Sequence, residues 1–249
     1  MTIFITGDTH GWNEIRNRFH KHTMPAKQND TVIVLGDFGM PWIAKDQKGI
    51  DARIQQVFEK ETIDILTHKP YDILFIDGNH ENFDILDKLP TKTYNGAPVG
   101  ILADNVYHLL RGQYYTIEGI TLFCMGGATS IDKICRTPHV SWWSQEIPNK
   151  QDRAQAIETL KSINYQCDVI LTHCPPTNEL YRLATTYDIN PIIDEFENWL
   201  ETEIAQKTTF KSWLYGHMHI NDECKQTPYT ALYTEIAQLN QNGIPTLLR

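Results

Sequence analysis

Val32-Ile33-Val34-Leu35-Gly36-Asp37 reads as a buried strand that runs straight into a carboxylate. Its four apolar residues are uninterrupted and rich in β-branching, the pattern of a strand covered on both faces. The arrangement recurs along the chain. Ile3-Phe4-Ile5 leads to Asp8-Thr9-His10, and Ile73-Leu74-Phe75-Ile76 leads to Gly78-Asn79-His80-Glu81. Val169-Ile170-Leu171 delivers Thr172-His173, and Ser212-Trp213-Leu214-Tyr215 delivers Gly216-His217-Met218-His219. Loops at strand ends are where an α/β fold gathers side chains from distant parts of its sequence.

Helical patterns fall between these strands, at 12–22, 49–67, 83–89, 151–163 and 189–206. The second of them carries Ile50, Ile54, Val57, Phe58 and Ile65 at helical spacing. In the middle, Val106 to Leu110, Tyr114 to Ile117 and Thr121 to Cys124 are separated by Arg111-Gly112 and Glu118-Gly119, which read as hairpin turns. An irregular insert follows at about 126–150, and the tail after Cys224 reads as closing strands. No repeat or long linker interrupts the pattern. The expectation is a single domain over 1–249, with two packed β-sheets flanked by helices and the motif loops at one edge; a single-sheet α/β sandwich is the alternative.

Composition narrows the function classes. The chain has 249 residues, 41% of them hydrophobic and 21% charged, which describes an ordinary globular protein with a substantial core. No apolar run is long enough to span a membrane. Met1 to Ile5 enters a strand directly, so no signal peptide is expected. Cys124, Cys135, Cys167, Cys174 and Cys224 are odd in number and irregularly spaced, as reduced thiols of a cytoplasmic protein would be. A net charge of −9 argues against generic nucleic-acid binding. It is compatible with a phosphate substrate, because two divalent cations would outweigh the carboxylates of Asp8 and Asp37 locally.

The candidate ligands follow a spacing argument. Asp8 and His10, like His217 and His219, stand two apart beyond a strand, where an extended chain would turn both side chains to one face. His20 and His22 have the same spacing near a predicted helix end, where residues two apart diverge, and are expected to be solvated. Asp37 can share its oxygens between two cations. Asn79 adds a neutral oxygen, with Gly78 letting the backbone turn, and His173 adds a nitrogen. Any one of these could be an ordinary turn residue. Five such motifs, each after an apolar strand, form a constellation suited to two metal ions.

D-x-H, G-D, G-N-H-E, T-H and G-H-x-H in this order resemble the calcineurin-like metallophosphoesterase superfamily, from Asp8 to His219. The resemblance implies a four-layer α/β/β/α sandwich with a dinuclear metal site at the sheet edge. It implies that Asp8, His10, Asp37 and His219 hold one metal, that Asp37, Asn79, His173 and His217 hold the other, and that His80 faces the substrate. The chemistry implied is hydrolysis of phosphate esters through attack by a metal-bridging hydroxide, with His80 as the catalytic residue serving the leaving group. Glu81 either orients His80 or is a solvated loop residue. Manganese suits the N/O donor set first, with Fe²⁺, Zn²⁺, Ni²⁺ or Co²⁺ as alternatives. Cys174, beside His173, is a weaker ligand candidate because hard cations favour N and O donors.

The likeness to Ser/Thr protein phosphatases is incomplete. Those enzymes carry a second aspartate, and often an arginine, after G-D; here Met40 takes the aspartate's place and no arginine follows. The insert at 126–150, similar to that of small bacterial and phage-borne members, offers replacements. Arg136 is a candidate phosphate clamp. Trp142 and Trp143 are a candidate wall for base stacking, the alternative being that two indoles pin a long loop by packing. Phosphodiester or nucleotide substrates are therefore expected ahead of monoesters. The competing readings are a Ser/Thr-type phosphoprotein phosphatase and a non-catalytic metal-bound scaffold. Oligomeric state is not legible in the motifs.

Overall fold

The computed structural model describes residues 1–44 and 47–248. β1 (Ile3–Thr6), α1 (Trp12–Arg18), β2 (Thr31–Leu35), α2 (Ile50–Thr67), β3 (Asp72–Ile76) and α3 (Phe83–Leu86) open the chain as alternating strand and helix. Five strands follow: β4 (Thr91–Tyr94), β5 (Ala97–Ala103), β6 (Val106–Leu109), β7 (Gln113–Ile117) and β8 (Ile120–Met125). Alternation then resumes with α4 (Lys150–Ser162), β9 (Val169–Thr172), α5 (Thr177–Tyr187), α6 (Glu195–Trp199) and β10 (Ser212–Tyr215). The chain closes on β11 (Asp222–Glu223), β12 (Tyr229–Ala231), β13 (Ile236–Leu239) and β14 (Pro245–Leu248).

The strands form two sheets, ordered β14-β13-β1-β2-β3-β6-β5-β4 and β11-β12-β10-β9-β8-β7. Period-two alternation explains how they stack. Ile3, Ile5, Ile33, Leu35, Leu74 and Ile76 of the first sheet share one buried cluster with Leu122, Val169, Leu171 and Leu214 of the second. The residues between them face outward. Phe4, Val32, Val34, Ile73 and Phe75 pack on Ile15 and Phe19 of the α1 region and Leu66 of α2. Phe123, Ile170, Trp213 and Tyr215 pack on Leu160 of α4, Leu183 of α5 and Phe196 of α6. The result is a four-layer α/β/β/α sandwich, and it explains why the central strands carry apolar residues on both faces.

Three sequence readings need correction. Arg111-Gly112 is not a hairpin turn, because β6 belongs to the larger sheet and β7 to the smaller, so this link crosses between layers. The first hairpin of the middle region is instead β4–β5, turned by Asn95 and Gly96, both at positive φ. The predicted helix at 189–206 begins only at Glu195, where Asp194 and Glu197 form a capping box, and the unanticipated α5 precedes it.

β1, β2 and β3 run parallel as neighbours in one sheet, and β8, β9 and β10 in the other. Their carboxyl ends carry the motif loops and the start of the insert. Leu214, in the core between the sheets, tests this arrangement: Leu214→Ala should cost about 2–5 kcal/mol in urea unfolding, and a loss below about 1 kcal/mol would deny that the sheets pack there.

Candidate metal centre

Asp37 lies at the middle of the site. Its Oδ1 stands 3.2 Å from His173 Nε2 and accepts the backbone N–H of His80 at 2.7 Å. Its Oδ2 stands 3.8 Å from His10 Nδ1. The carboxylate therefore faces two groups of donors, one on each side. Beyond Oδ1, Asn79 Oδ1 lies 3.1 Å from the same His173 Nε2. Beyond Oδ2, His10 Nε2 and His219 Nε2 are 2.9 Å apart, with Asp8 Oδ2 3.1 Å from the latter. Three compact ligand groups result: Asp8, His10 and His219; Asp8, Asp37 and His173; and His10, Asp37 and His80.

The donor set fits cations. His173 Nδ1 lies 2.7 Å from the Leu35 carbonyl, which can only accept, so Nδ1 carries the proton and Nε2 of the neutral ring presents a lone pair. That lone pair then confronts the oxygens of Asp37 and Asn79, an arrangement that repels unless something positive lies between. With a proton in that role, burial lowers the His173 pKa but the Asp37 charge overcomes it, raising the group to about 10. Asp37 shows the converse: burial raises it, and His173, His80 and His10 outweigh burial and hold it far below the carboxylate range. Asp8 Oδ2 is buried and accepts no hydrogen bond, although its Oδ1 accepts the His217 backbone N–H at 3.0 Å. A buried carboxylate oxygen without a hydrogen bond, beside two imidazoles, suits a positive partner.

The backbone achieves this by a different route from strand alternation. β1 ends at Thr6 and β10 at Tyr215, so both D-x-H and H-x-H lie beyond their strands. His10, Asp37, His217 and His219 have φ values of 42, 47, 62 and 51°, in the left-handed region that side chains with a Cβ seldom occupy. Gly78 has a negative φ and is needed for approach: a Cβ there would stand 2.8 Å from His173 Nε2 and closer still to Asp37. His217 lies against the His173 ring, centroids 5.0 Å apart, outside the three compact groups. Burial and the neighbouring His173 depress its pKa to about 4, so its ring is neutral and able to ligate.

Several supporting roles were not legible in the motifs. Glu81 neither orients His80 nor is solvated. It is buried, and its carboxylate accepts the backbone N–H groups of Phe38 at 2.8 Å and Gly39 at 3.0 Å, fixing the loop that carries Asp37. Ser130 accepts from Asn79 Nδ2 at 3.1 Å and donates to Glu146 at 2.6 Å, which turns Asn79 Oδ1 toward His173. Tyr233 stacks on His219 with centroids 4.3 Å apart. Buried Arg18 reaches the carbonyls of Asp8 and Tyr233.

The insert contributes unevenly. Arg136 places its guanidinium nitrogens 3.1 and 3.2 Å from the two ring nitrogens of His80, and Asp132 grips it through Nε and Nη2 at 2.6 and 2.8 Å. Trp143 is buried in the outer core, edge-on to Trp42, and donates to Asp84 at 2.7 Å. It pins the segment, and a stacking platform at Trp143 is not possible. Trp142 lies under Lys133, 4.3 Å from its ring centre. Cys174 is buried, burial pushes its thiol pKa up, and it stands outside the three compact ligand groups.

A profile of calcineurin-like phosphoesterases matches residues 1–221. The chain belongs to the calcineurin-like phosphoesterase family. The family's model is one of metal-dependent phosphoesterases, and the family implies two divalent metal ions. No curated protein matches the sequence. Among solved structures, sulfate thiohydrolase SoxB of Thermus thermophilus in complex with glycerol is similar at 10% identity and a TM-score of 0.44, over 99% of this chain and 55% of that one. The chain thus spans about half the length of that protein.

Glu81→Ala checks the clamp. It should cost about 1–3 kcal/mol for each buried amide left without a partner in urea unfolding, and should lower metal content by mass spectrometry. Unchanged stability and full metal content would show that the Asp37 loop holds itself.

Proposed function

We propose that this phosphoesterase cleaves phosphodiesters or nucleotides, with Asp8, His10, Asp37 and His219 holding one metal and Asp37, Asn79, His173 and His217 the other. The observation that carries the diester preference is the charge at Arg136. The motif loop offers Met40, which is buried, where protein phosphatases place an aspartate, and the guanidinium that faces His80 comes from the insert. Asp132 already balances that guanidinium through two short contacts. The excess positive charge supplied by the protein is small, which suits a singly charged diester better than a doubly charged monoester.

Two cations held there would acidify a water and draw charge from the phosphoryl oxygens; N and O donors favour manganese. The protein's own groups do the rest. Asp37, buried and anionic, keeps both donor groups in register. Arg136 can point its Nη atoms at phosphoryl oxygens, which are better acceptors than the imidazole lone pair it now meets. His80, whose pKa is lowered by burial and, after the opposing pull of Asp37, by Arg136, presents a neutral ring with one N–H to the leaving oxygen. The backbone N–H of His80 is bonded to Asp37 Oδ1, which ties the position of that ring to the centre.

The reading treats 1–249 as one domain, since both sheets share a core. No helix among the described residues is long and apolar enough to cross a membrane. A cytoplasmic location is part of the proposal, supported by five free cysteines.

Two measurements decide it. Manganese-loaded enzyme should turn over bis(p-nitrophenyl) phosphate with a higher kcat/KM than p-nitrophenyl phosphate; a strong monoester preference would overturn the diester reading. His80→Ala should lower kcat by about 10²–10⁴ while retaining two metals per chain. Loss of metal together with activity would place His80 among the ligands.

A further inference from the structure

Beside the candidate ligands lies a cavity of about 560 Å³, within the range of small-molecule sites. Asn79, His80, His217 and His219 line one side of it. The rest of the lining has a different character, with Ile131, Leu180, Ile189, Pro191, Ile192 and Met218 outnumbering the uncharged polar Thr129 and Asn190. Ile131 comes from the insert and Ile192 from the segment between α5 and α6. They are 74% and 61% exposed, so two large apolar side chains face water at one cavity. Apolar surface concentrated at a site, rather than scattered singly, marks a place where something binds.

The charge inventory says what that is. Among the described residues, no lysine or arginine lines this cavity. Its acids beyond Asp37 are already committed: Asp132 to Arg136, and Glu197 to capping α6 through the Asp194 N–H at 3.0 Å. Burial, with Asp194 beside it, pushes the Glu197 carboxyl up to about 8, so it adds little charge at neutral pH. A second phosphate placed against this wall would lose its water and gain no cation. An uncharged aromatic ring would lose little and bury apolar area.

We propose that the wall of Ile131, Ile189 and Ile192 is the subsite for an uncharged aromatic or apolar group, of nucleobase size or smaller, esterified to a single phosphoryl centre. The inference rests on the phosphodiesterase reading and narrows it, setting polyphosphates and extended nucleic-acid strands outside the substrate class.

The test is calorimetric titration of the manganese-loaded protein with phenylphosphonate and with methylphosphonate, which differ only in the organic group. The wild-type protein should bind the phenyl compound about tenfold more tightly, a difference of about 1.4 kcal/mol. Ile131→Asp and Ile192→Asp, both at exposed positions where folding is not at stake, should each reduce that preference to about threefold or less. Equal affinity for the two phosphonates in the wild-type protein, or a preference untouched by both variants, overturns the subsite, while continued ester hydrolysis would leave the phosphodiesterase reading in place. Conversely, a phenyl preference that the variants abolish would support the subsite even if diesters were not hydrolysed, and only the reading of the reaction would then fail.

Discussion

A lone pair set against two oxygens organises this protein. Asp37 Oδ1 and Asn79 Oδ1 stand 3.2 and 3.1 Å from His173 Nε2, and each of the three is electron-rich once the Leu35 carbonyl has fixed the His173 proton on Nδ1. Such a cluster is stable only around a positive charge. The surrounding structure holds it together from outside. Thr9 and His10 donate backbone N–H groups to the Asp37 carbonyl at 3.1 and 2.8 Å, and Gly216 donates to the His173 carbonyl at 2.9 Å. Gly127, at the start of the insert, donates to the Asp77 carbonyl at 2.9 Å. Loops remote in sequence are thus joined through their main chains before any side chain is considered, and a cation completes what the backbone has arranged.

Joining loops so closely requires unusual backbone. Four candidate ligands sit at left-handed φ, a conformation costing on the order of 1–3 kcal/mol each at non-glycine residues. Regular strands could not have served, because a strand presents alternate residues to opposite faces, both here committed to apolar packing. The polar cluster had to lie past the strand ends, where the chain can turn within two or three residues. Glu81, buried and bonded to the Phe38 and Gly39 amides, is one of the groups that over-determine that turn. Its own carboxyl is pushed well up by burial and by Asp37, so the clamp itself carries an electrostatic cost.

The sequence disclosed the fold through its doubly buried strands. Apolar runs such as Val32 to Leu35 are what two-sided coverage demands, and each ended on a ligand candidate, so the sandwich and the site edge were legible together. The geometric reason for ligand convergence was not. Strand alternation paired Asp8 with His10, which lie in one compact group with His219, and His217 with His219, of which His217 lies outside the three groups; the gathering is done by left-handed turns, whose dihedral angles leave little trace when the residue is His or Asp. Topology was also hidden at Arg111-Gly112, since a glycine permits a reversal without saying whether the next strand pairs with the last or enters another sheet. By contrast, Asn95-Gly96 and the Asp194 to Glu197 capping box are signals that the sequence does carry. Pro175-Pro176 stands at the entry to α5, where the fixed φ of Pro176 suits a helix start.

The insert shows how a site can replace parts that its motif loops lack. Met40, at the place of the phosphatases' aspartate, is buried in the outer core and has no charge to offer His80. Residues 126–150 leave β8 at the same sheet edge as the ligand loops, so a short excursion suffices to reach the ring. Arg136 meets His80 from one direction, while Ser130 and Glu146 set the Asn79 amide from another. Trp143, buried against Trp42 and bonded to Asp84, anchors the excursion without touching the chemistry. One segment therefore reaches both the reacting side of the site and, through Ile131, the apolar side. Because the same backbone connects these contacts, orientation of His80 and accommodation of the organic group are mechanically linked. Changes in substrate preference across such inserts can then arise without any change in the candidate ligands, which follow strands of the two sheets and do not lie in the insert.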